Sequence, residues 1–204
     1  MEIIDIEQGS GEWLKLRYGI ATASEFSNMV TSKGKRSTSL KKYALKLASE
    51  LLVDEIEEPF TNASMERGTE LEPYAIEAYT EHTLTNVDSV GFMMCDGYGC
   101  SPDGIIGDDG LIEVKCPNQA THIEYLYNNK LPTKYVQQVQ GCLFVSGRTW
   151  CDFISFNPNF KDGYKLFITR VYRDEAFIKE LKSAIDATLS IRDSYLKELN
   201  IDNK

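Results

Sequence analysis

The stretch Cys100–Pro117, CSPDGIIGDDGLIEVKCP, decides how this chain is read. It carries four carboxylates (Asp103, Asp108, Asp109, Glu113) and one lysine, Lys115, on an otherwise apolar spine. The segment LIEVKC has the period of a strand, in which residues two apart share a face. Glu113 and Lys115 then lie on one face, and Ile112, Val114 and Cys116 on the other. Upstream, SPDGIIGDDG reads as strand, turn and return, with Asp103 ending one strand and Gly107–Gly110 reversing the chain. That hairpin brings Asp103 beside Glu113 and leaves Asp108 and Asp109 in the bend. Charges clustered on buried strands are costly unless something binds between them. The simpler alternative is a surface hairpin with a salt bridge. Carboxylate-x-lysine also occurs at Glu180/Lys182 and Asp202/Lys204, so the tripeptide alone is weak.

A second carboxylate source lies in Ser64–His82, which has helical periodicity. On a wheel of about 100° per residue, Met65, Gly68, Ala75, Ile76 and Tyr79 fall within about 60° of Glu72. Glu66, Glu70, Glu77 and Glu81 fall on the far side. Glu72 therefore sits within the apolar stripe, where a carboxylate needs a cation, a hydrogen-bond donor or a raised pKa. Capping of another segment or pairing with an arginine would also account for it.

Three carboxylates and a lysine suit phosphodiester hydrolysis assisted by Mg²⁺. Oxygen ligands from separate elements hold such ions, with water completing each shell. A pair of ions about 3.5–4 Å apart can activate water and stabilise the leaving oxygen. A neighbouring lysine can orient or deprotonate that water and offset developing charge. Only two histidines occur, His82 and His122, neither near a nucleophile motif, and no glycine-rich nucleotide loop is present.

At 204 residues, 42% hydrophobic and 26% charged, the chain reads as one globular domain, 1–204. Its expected parts are a helical portion, 1–83, a catalytic sheet with helices, 84–173, and a C-terminal helix, 174–199. Two short helices are expected in the first thirty residues, and an amphipathic helix over STSLKKYALKLASELLVDEI with Leu40, Tyr43, Ala44, Leu47 and Leu51 on its apolar face. The order of helices, a strand group, helices, two strands and a helix predicts a mixed α/β sheet flanked by helices. No apolar run approaches the roughly 20 residues needed to cross a bilayer, and the acidic N-terminus is unlike a signal peptide. Five scattered cysteines with no CxxC pair argue for reduced core thiols in the cytoplasm rather than a zinc or iron–sulfur site. The net charge of -9 excludes a protein that coats nucleic acid indiscriminately but not a DNA enzyme whose cations are local. Lys33, Lys35, Arg36, Lys41, Lys42 and Lys46 form one acid-free basic segment, either a solvated face or a phosphate-contacting arm.

SPDG followed by IEVKCP resembles the PD-(D/E)xK nuclease motif of restriction-endonuclease-like α/β folds. EWLKLRYGIATASEF, MERGTELEPYA and YVQQVQGCLFV resemble successive motifs of the phage lambda-type exonucleases, or YqaJ-type viral recombinase nucleases, in family order from roughly Trp13 to Asn157. The resemblance implies a Mg²⁺-dependent exonuclease, Mn²⁺ substituting, that degrades one strand of duplex DNA from its 5′ end with two ions per site. It implies that Asp103, Glu113 and Glu72 ligate metal, with the Val114 carbonyl a further candidate ligand, and that Lys115 positions or activates water. Arg17 and Ser24 match residues that hold a 5′-phosphate, joined by Ser101 and Gln140, with Gln138 the competing glutamine. Met65 matches an apolar wedge that splits terminal base pairs, although a core role suits it equally. The family further implies a ring-shaped homotrimer, duplex DNA ends as substrate, a single-strand annealing protein as partner, no membrane association, and a phage or prophage product in the bacterial cytoplasm. A PD-(D/E)xK endonuclease and a DNA-end binding module without catalysis are the alternatives.

Overall fold

The computed structural model describes residues 1–54 and 62–199. The last residues of the STSLKKYALKLASELLVDEI stretch and the Asp202/Lys204 pair lie outside them. Two four-stranded sheets form the frame. The first has the order β1-β3-β4-β2, built from β1 (Glu2–Ile4), β2 (Ala21–Thr22), β3 (Phe92–Cys95) and β4 (Tyr98–Cys100). The second runs in sequence order, β5 (Gly104–Ile106), β6 (Gly110–Lys115), β7 (Trp150–Phe156) and β8 (Leu166–Tyr172). In it β5 and β8 pair antiparallel to their neighbours, whereas β6 and β7 run parallel. This is the expected mixed sheet flanked by helices.

Among the described residues, six α-helices surround the sheets: α1 (Gly11–Leu16), α2 (Leu40–Glu50), α3 (Ala63–Thr83), α4 (Gln119–Asn128), α5 (Val136–Ser146) and α6 (Glu175–Glu198). Their starts follow capping chemistry. The side chains of Ser10, Asn62, Asn118 and Asp174 accept amide protons from the first turns of α1, α3, α4 and α6. The parallel β6–β7 pair requires a crossover, and α4 and α5 supply it.

Alternation along β6 separates two cores. Leu111 joins the large core that includes Phe26, Met93, Leu143 and Leu181. Ile112, Val114 and Cys116 face the other way, against Ala75 and Tyr79 of α3. Each such side chain contributes about 1.5–3 kcal/mol on burial, which fixes the strand's rotation and so the face that carries Glu113 and Lys115.

Four local expectations are corrected. The first thirty residues hold two strands besides α1, because β1 and β2 form by pairing with β3 and β4, about a hundred residues away at most, and so leave no local period. The expected second helix is a 3₁₀ segment, Ala23–Asn28. Leu51, expected on the apolar face of α2, is 47% exposed because that helix ends at Glu50. Asp103 precedes β5 rather than ending a strand, and β4 ends at Cys100.

Candidate active site

The turn between β5 and β6 contains Gly107, whose positive φ of 48° suits glycine, and exposed Asp108 and Asp109. Arg148 ties it down by donating to the carbonyls of Gly107 (2.7 Å) and Gly110 (2.9 Å). The returning register pairs Gly104 with Ile112, which sets Asp103 level with Glu113. Asp103 Oδ2 accepts the Val114 N–H at 2.6 Å. Lys115 Nζ forms an ion pair with Glu113 Oε1 and donates to the Val114 carbonyl at 2.9 Å. Gln138 of α5 donates from Nε2 to the same Glu113 oxygen at 2.6 Å. The other oxygen of Glu113, Oε2, is buried with no hydrogen-bond partner.

Glu72 approaches from α3. It is half-buried, whereas Glu66, Glu70, Glu77 and Glu81 of the same helix are exposed. Burial, then the negative charge of Asp103, pushes its carboxyl up to about 7, against the pull of Lys115. Glu113 is raised to about 7, by burial first and also by Asp103, again opposed by Lys115. Asp103 is raised by burial. Burial works to lower Lys115, but the charges of Glu113 and Asp103 outweigh it and hold the ammonium above its ordinary value. The four groups thus form one electrostatic unit with more negative charge than Lys115 neutralises.

Two concavities meet at this unit. A cleft of about 460 Å³ is lined by Met65, Glu72, Lys115, Asn118 and Tyr135, among others. Met65 is 51% exposed on its rim and so belongs to the cleft rather than the core. The Tyr135 ring is near two cations, its centroid 5.6 Å from Lys115 Nζ and 4.9 Å from Lys134 Nζ. A smaller pocket, about 190 Å³, is lined by Trp13, Arg17, Ser24, Ser101, Asp103 and Gln138. In it the Arg17 guanidinium stacks 3.9 Å from the Trp13 ring and donates to Ser24 (3.2 Å) and Thr22 (3.4 Å). Trp13 Nε1 donates to Ser101 at 2.9 Å. Burial lowers the Arg17 pKa, and its hydrogen bonds go to hydroxyls rather than to a carboxylate. A partly desolvated guanidinium with neutral partners keeps its charge available and has the donor chemistry that suits an anion.

Arg17, Ser24, Ser101 and Gln138 are therefore gathered in one pocket, and Gln140 is not. Gln140 is 4% exposed, donates to the Tyr172 carbonyl (2.9 Å) and accepts the Asp174 N–H (2.9 Å), so its amide is buried joining β8 to α6 and does not line the pocket. Residues two apart on a helix point about 200° away from each other, which separates the two glutamines. Gly141 lets α5 approach the 3₁₀ segment that bears Ser24, since a Cβ there would lie 2.5 Å from the Phe26 ring. Trp13 and Tyr135 escaped the sequence reading as site residues. The i, i+4 relation of Trp13 to Arg17 was the available signal for the former.

Among the described residues, no three His, Cys, Asp or Glu side chains converge closely enough to enclose a metal ion by themselves. The donors nevertheless fit a hard divalent cation. They are all oxygens: the Asp103 and Glu113 carboxylates, the Val114 carbonyl that accepts from Lys115, and the Glu72 carboxylate from α3. The unpartnered Glu113 Oε2 marks missing positive charge or a missing donor. An ion that keeps several waters needs few protein ligands.

The chain is similar to an alkaline exonuclease, LHK-Exo, from Laribacter hongkongensis. The two are 37% identical, with a TM-score of 0.85 over 94% of this chain and 96% of that one. The crystal structure of LHK-Exo in complex with dAMP matches at 37% identity and a TM-score of 0.83, over 93% and 96%. A phage-related exonuclease from Haemophilus somnus 129PT shares the fold at 14% identity, with a TM-score of 0.75 over 91% and 99%. Curated proteins give no significant match. The family model that matches, over residues 12–149, is the YqaJ-like viral recombinase domain. Both the sequence blocks around the carboxylate–lysine unit and the whole-chain likeness to an alkaline exonuclease thus lead to one conclusion: this chain is a nuclease of the YqaJ-like viral recombinase family.

Proposed function

We propose that the protein hydrolyses duplex DNA from its 5′ ends with the help of divalent cations, leaving 3′ single-stranded tails for recombination. The single observation that carries this reading is the adjacency of two sites. An anion pocket (Arg17, Ser24, Ser101, Gln138) shares Asp103 as a wall with the carboxylate–lysine unit. A terminal 5′-phosphate held there sets the next phosphodiester near Asp103, Glu113 and Lys115, so the reaction starts from an end. LHK-Exo has been crystallised in complex with dAMP, a mononucleotide of the kind that stepwise exonucleolytic hydrolysis releases, which supports exonucleolytic rather than endonucleolytic chemistry.

Asp103, Glu113, the Val114 carbonyl and Glu72 would hold Mg²⁺, or Mn²⁺ in its place, as two ions. Bound cations there would supply Lewis-acid stabilisation of the charge that develops on the phosphoryl and leaving oxygens. Lys115 orients the attacking water and offsets negative charge as the water oxygen bonds to phosphorus and the P–O3′ bond breaks. Arg17 binds the end phosphate and fixes the register. Met65, exposed at the cleft rim, would wedge the terminal base pair. By family likeness the enzyme works as a homotrimeric ring with a single-strand annealing protein, in a bacterial cytoplasm.

End-labelled linear duplex with Mg²⁺ tests the reading. Linear duplex with a 5′-phosphate should release mononucleotides fastest, 5′-hydroxyl ends more slowly, and closed circles not at all. Cleavage of closed circles would instead assign an endonuclease. Binding of ends without nucleotide release would assign a binding module.

A further inference from the structure

The MERGTELEPYA block contains an arginine that the proposed reaction leaves unused. Arg67 lies on α3, five residues before Glu72. Its Nη1 donates to the Cys116 carbonyl at 2.6 Å and to the Pro117 carbonyl at 3.0 Å. Those carbonyls follow Lys115 directly, where β6 ends. The buried Asn157 holds the Pro117 carbonyl from the other side, at 2.9 Å. Elsewhere α3 meets β6 through apolar packing of Leu71, Ala75 and Tyr79 on the cluster that holds Ile112 and Val114, most of it C-terminal to Glu72. Glu72 is thus bracketed, with apolar packing on one side and a charged clamp on the other. Apolar packing resists separation of helix and strand but tolerates sliding, whereas a guanidinium shared by two carbonyls is directional.

We propose that Arg67 is a positioning residue for the nuclease reaction. By holding the Cys116 and Pro117 carbonyls it sets the span between Glu72 on α3 and the Asp103–Glu113–Lys115 unit on the sheet. This inference rests on the metal-dependent reading of that site. It also explains why the position carries arginine. The guanidinium stays charged and offers several donors in a fixed plane, whereas a lysine presents a single mobile ammonium.

The test compares the full-length wild type with R67M. Three quantities are read: Mn²⁺ affinity by calorimetry without DNA, the Mg²⁺ dependence and the kcat against KM split on linear duplex, and the salt dependence of KM. Groups that orient ligating residues typically contribute 10–100-fold to metal affinity or activity. R67M should therefore bind Mn²⁺ about 10–100-fold more weakly and lose kcat by a similar factor, with KM for duplex and its salt slope unchanged. Wild-type Mn²⁺ affinity and kcat in R67M would overturn the inference. So would a raised KM with a shallower salt slope at unchanged kcat, which marks a direct contact with a DNA phosphate. If R67M melts below the assay temperature, R67Q is judged by the same criteria. A wild type that neither binds Mn²⁺ nor degrades linear duplex sinks the site's reading together with the inference. An active wild type with an unaffected variant sinks the inference alone.

Discussion

Two buried carboxylates sit on adjacent, parallel strands and have opposite fates. Asp152 on β7 is 2% exposed, and Glu113 on β6 is 1% exposed. Asp152 pairs in register with Ile112, on the α3 side of the sheet. Its Oδ1 accepts Arg170 Nε at 2.8 Å, and its Oδ2 accepts both Arg170 Nη2 at 2.8 Å and the Tyr79 hydroxyl at 2.7 Å. Arg170 itself stacks on Trp150, 3.7 Å from its ring. That network is complete. Glu113 faces the other way, has one oxygen without a partner, and is opposed by Asp103 and Glu72 across the same small space. Burial cost is thus met within the fold at Asp152 and left for a ligand at Glu113. The difference teaches that partnering, not burial, separates a structural carboxylate from a functional one.

The comparison can be broken most decisively at Lys115. Lys115→Ala should lower turnover per folded molecule by about 10²–10⁴-fold while duplex-end binding stays close to wild type. Near-normal hydrolysis of labelled duplex would place Lys115 with the structural groups.

A crossed pair sharpens the contrast further. Asp152→Asn should cost about 1–3 kcal/mol by denaturant unfolding, a moderate value because Arg170 is 44% exposed, with activity per folded molecule retained. Glu113→Gln should abolish activity without lowering the stability of the metal-free protein. The opposite assignment of effects would end the distinction drawn between the two strands.

Arg17→Ala should reduce the preference for a 5′-phosphate over a 5′-hydroxyl end by about tenfold, the order of one charge-assisted contact. An unchanged ratio of initial rates would separate the anion pocket from end recognition.

The smallest effect is a pH dependence. Glu72 and Glu113 rise from 4.5 to about 7 on folding without metal, so the folded protein binds extra protons between those values. Stability through these groups is therefore greatest below about pH 4.5, falls as pH rises through the window, and reaches its full penalty above about 7. A bound divalent cation would relieve that penalty. The increase in melting temperature with Mg²⁺ should be a few degrees larger at pH 8 than at pH 6. An equal or reversed difference would remove these carboxylates from cation binding.

Much of the catalytic face was legible because its signals are local. Strand alternation places Glu113 and Lys115 together whatever surrounds them, and the helical wheel separates Glu72 from its four exposed neighbours. The glycine-bearing turn predicts that Asp103 returns beside Glu113. Other features left no local signal. The strands Glu2–Ile4 and Ala21–Thr22 are too short to show a period and exist through their partners. Choosing Gln138 over Gln140 requires knowing which side of α5 faces the sheet and which faces the β8–α6 junction, and both glutamines flank the same apolar stripe.

By itself, then, the sequence determined the longer helices and strands, the pairing of charges along single strands and helices, and the family, because each depends on spacing within one segment. Only the tertiary structure decided which of these charges complete one another. It matched Asp152 with Arg170 and Tyr79, left Glu113 Oε2 open, and set Arg17, Ser24, Ser101 and Gln138 around one pocket. Those outcomes depend on distances between segments far apart in the chain, and hydrogen bonding and desolvation change steeply over an ångström.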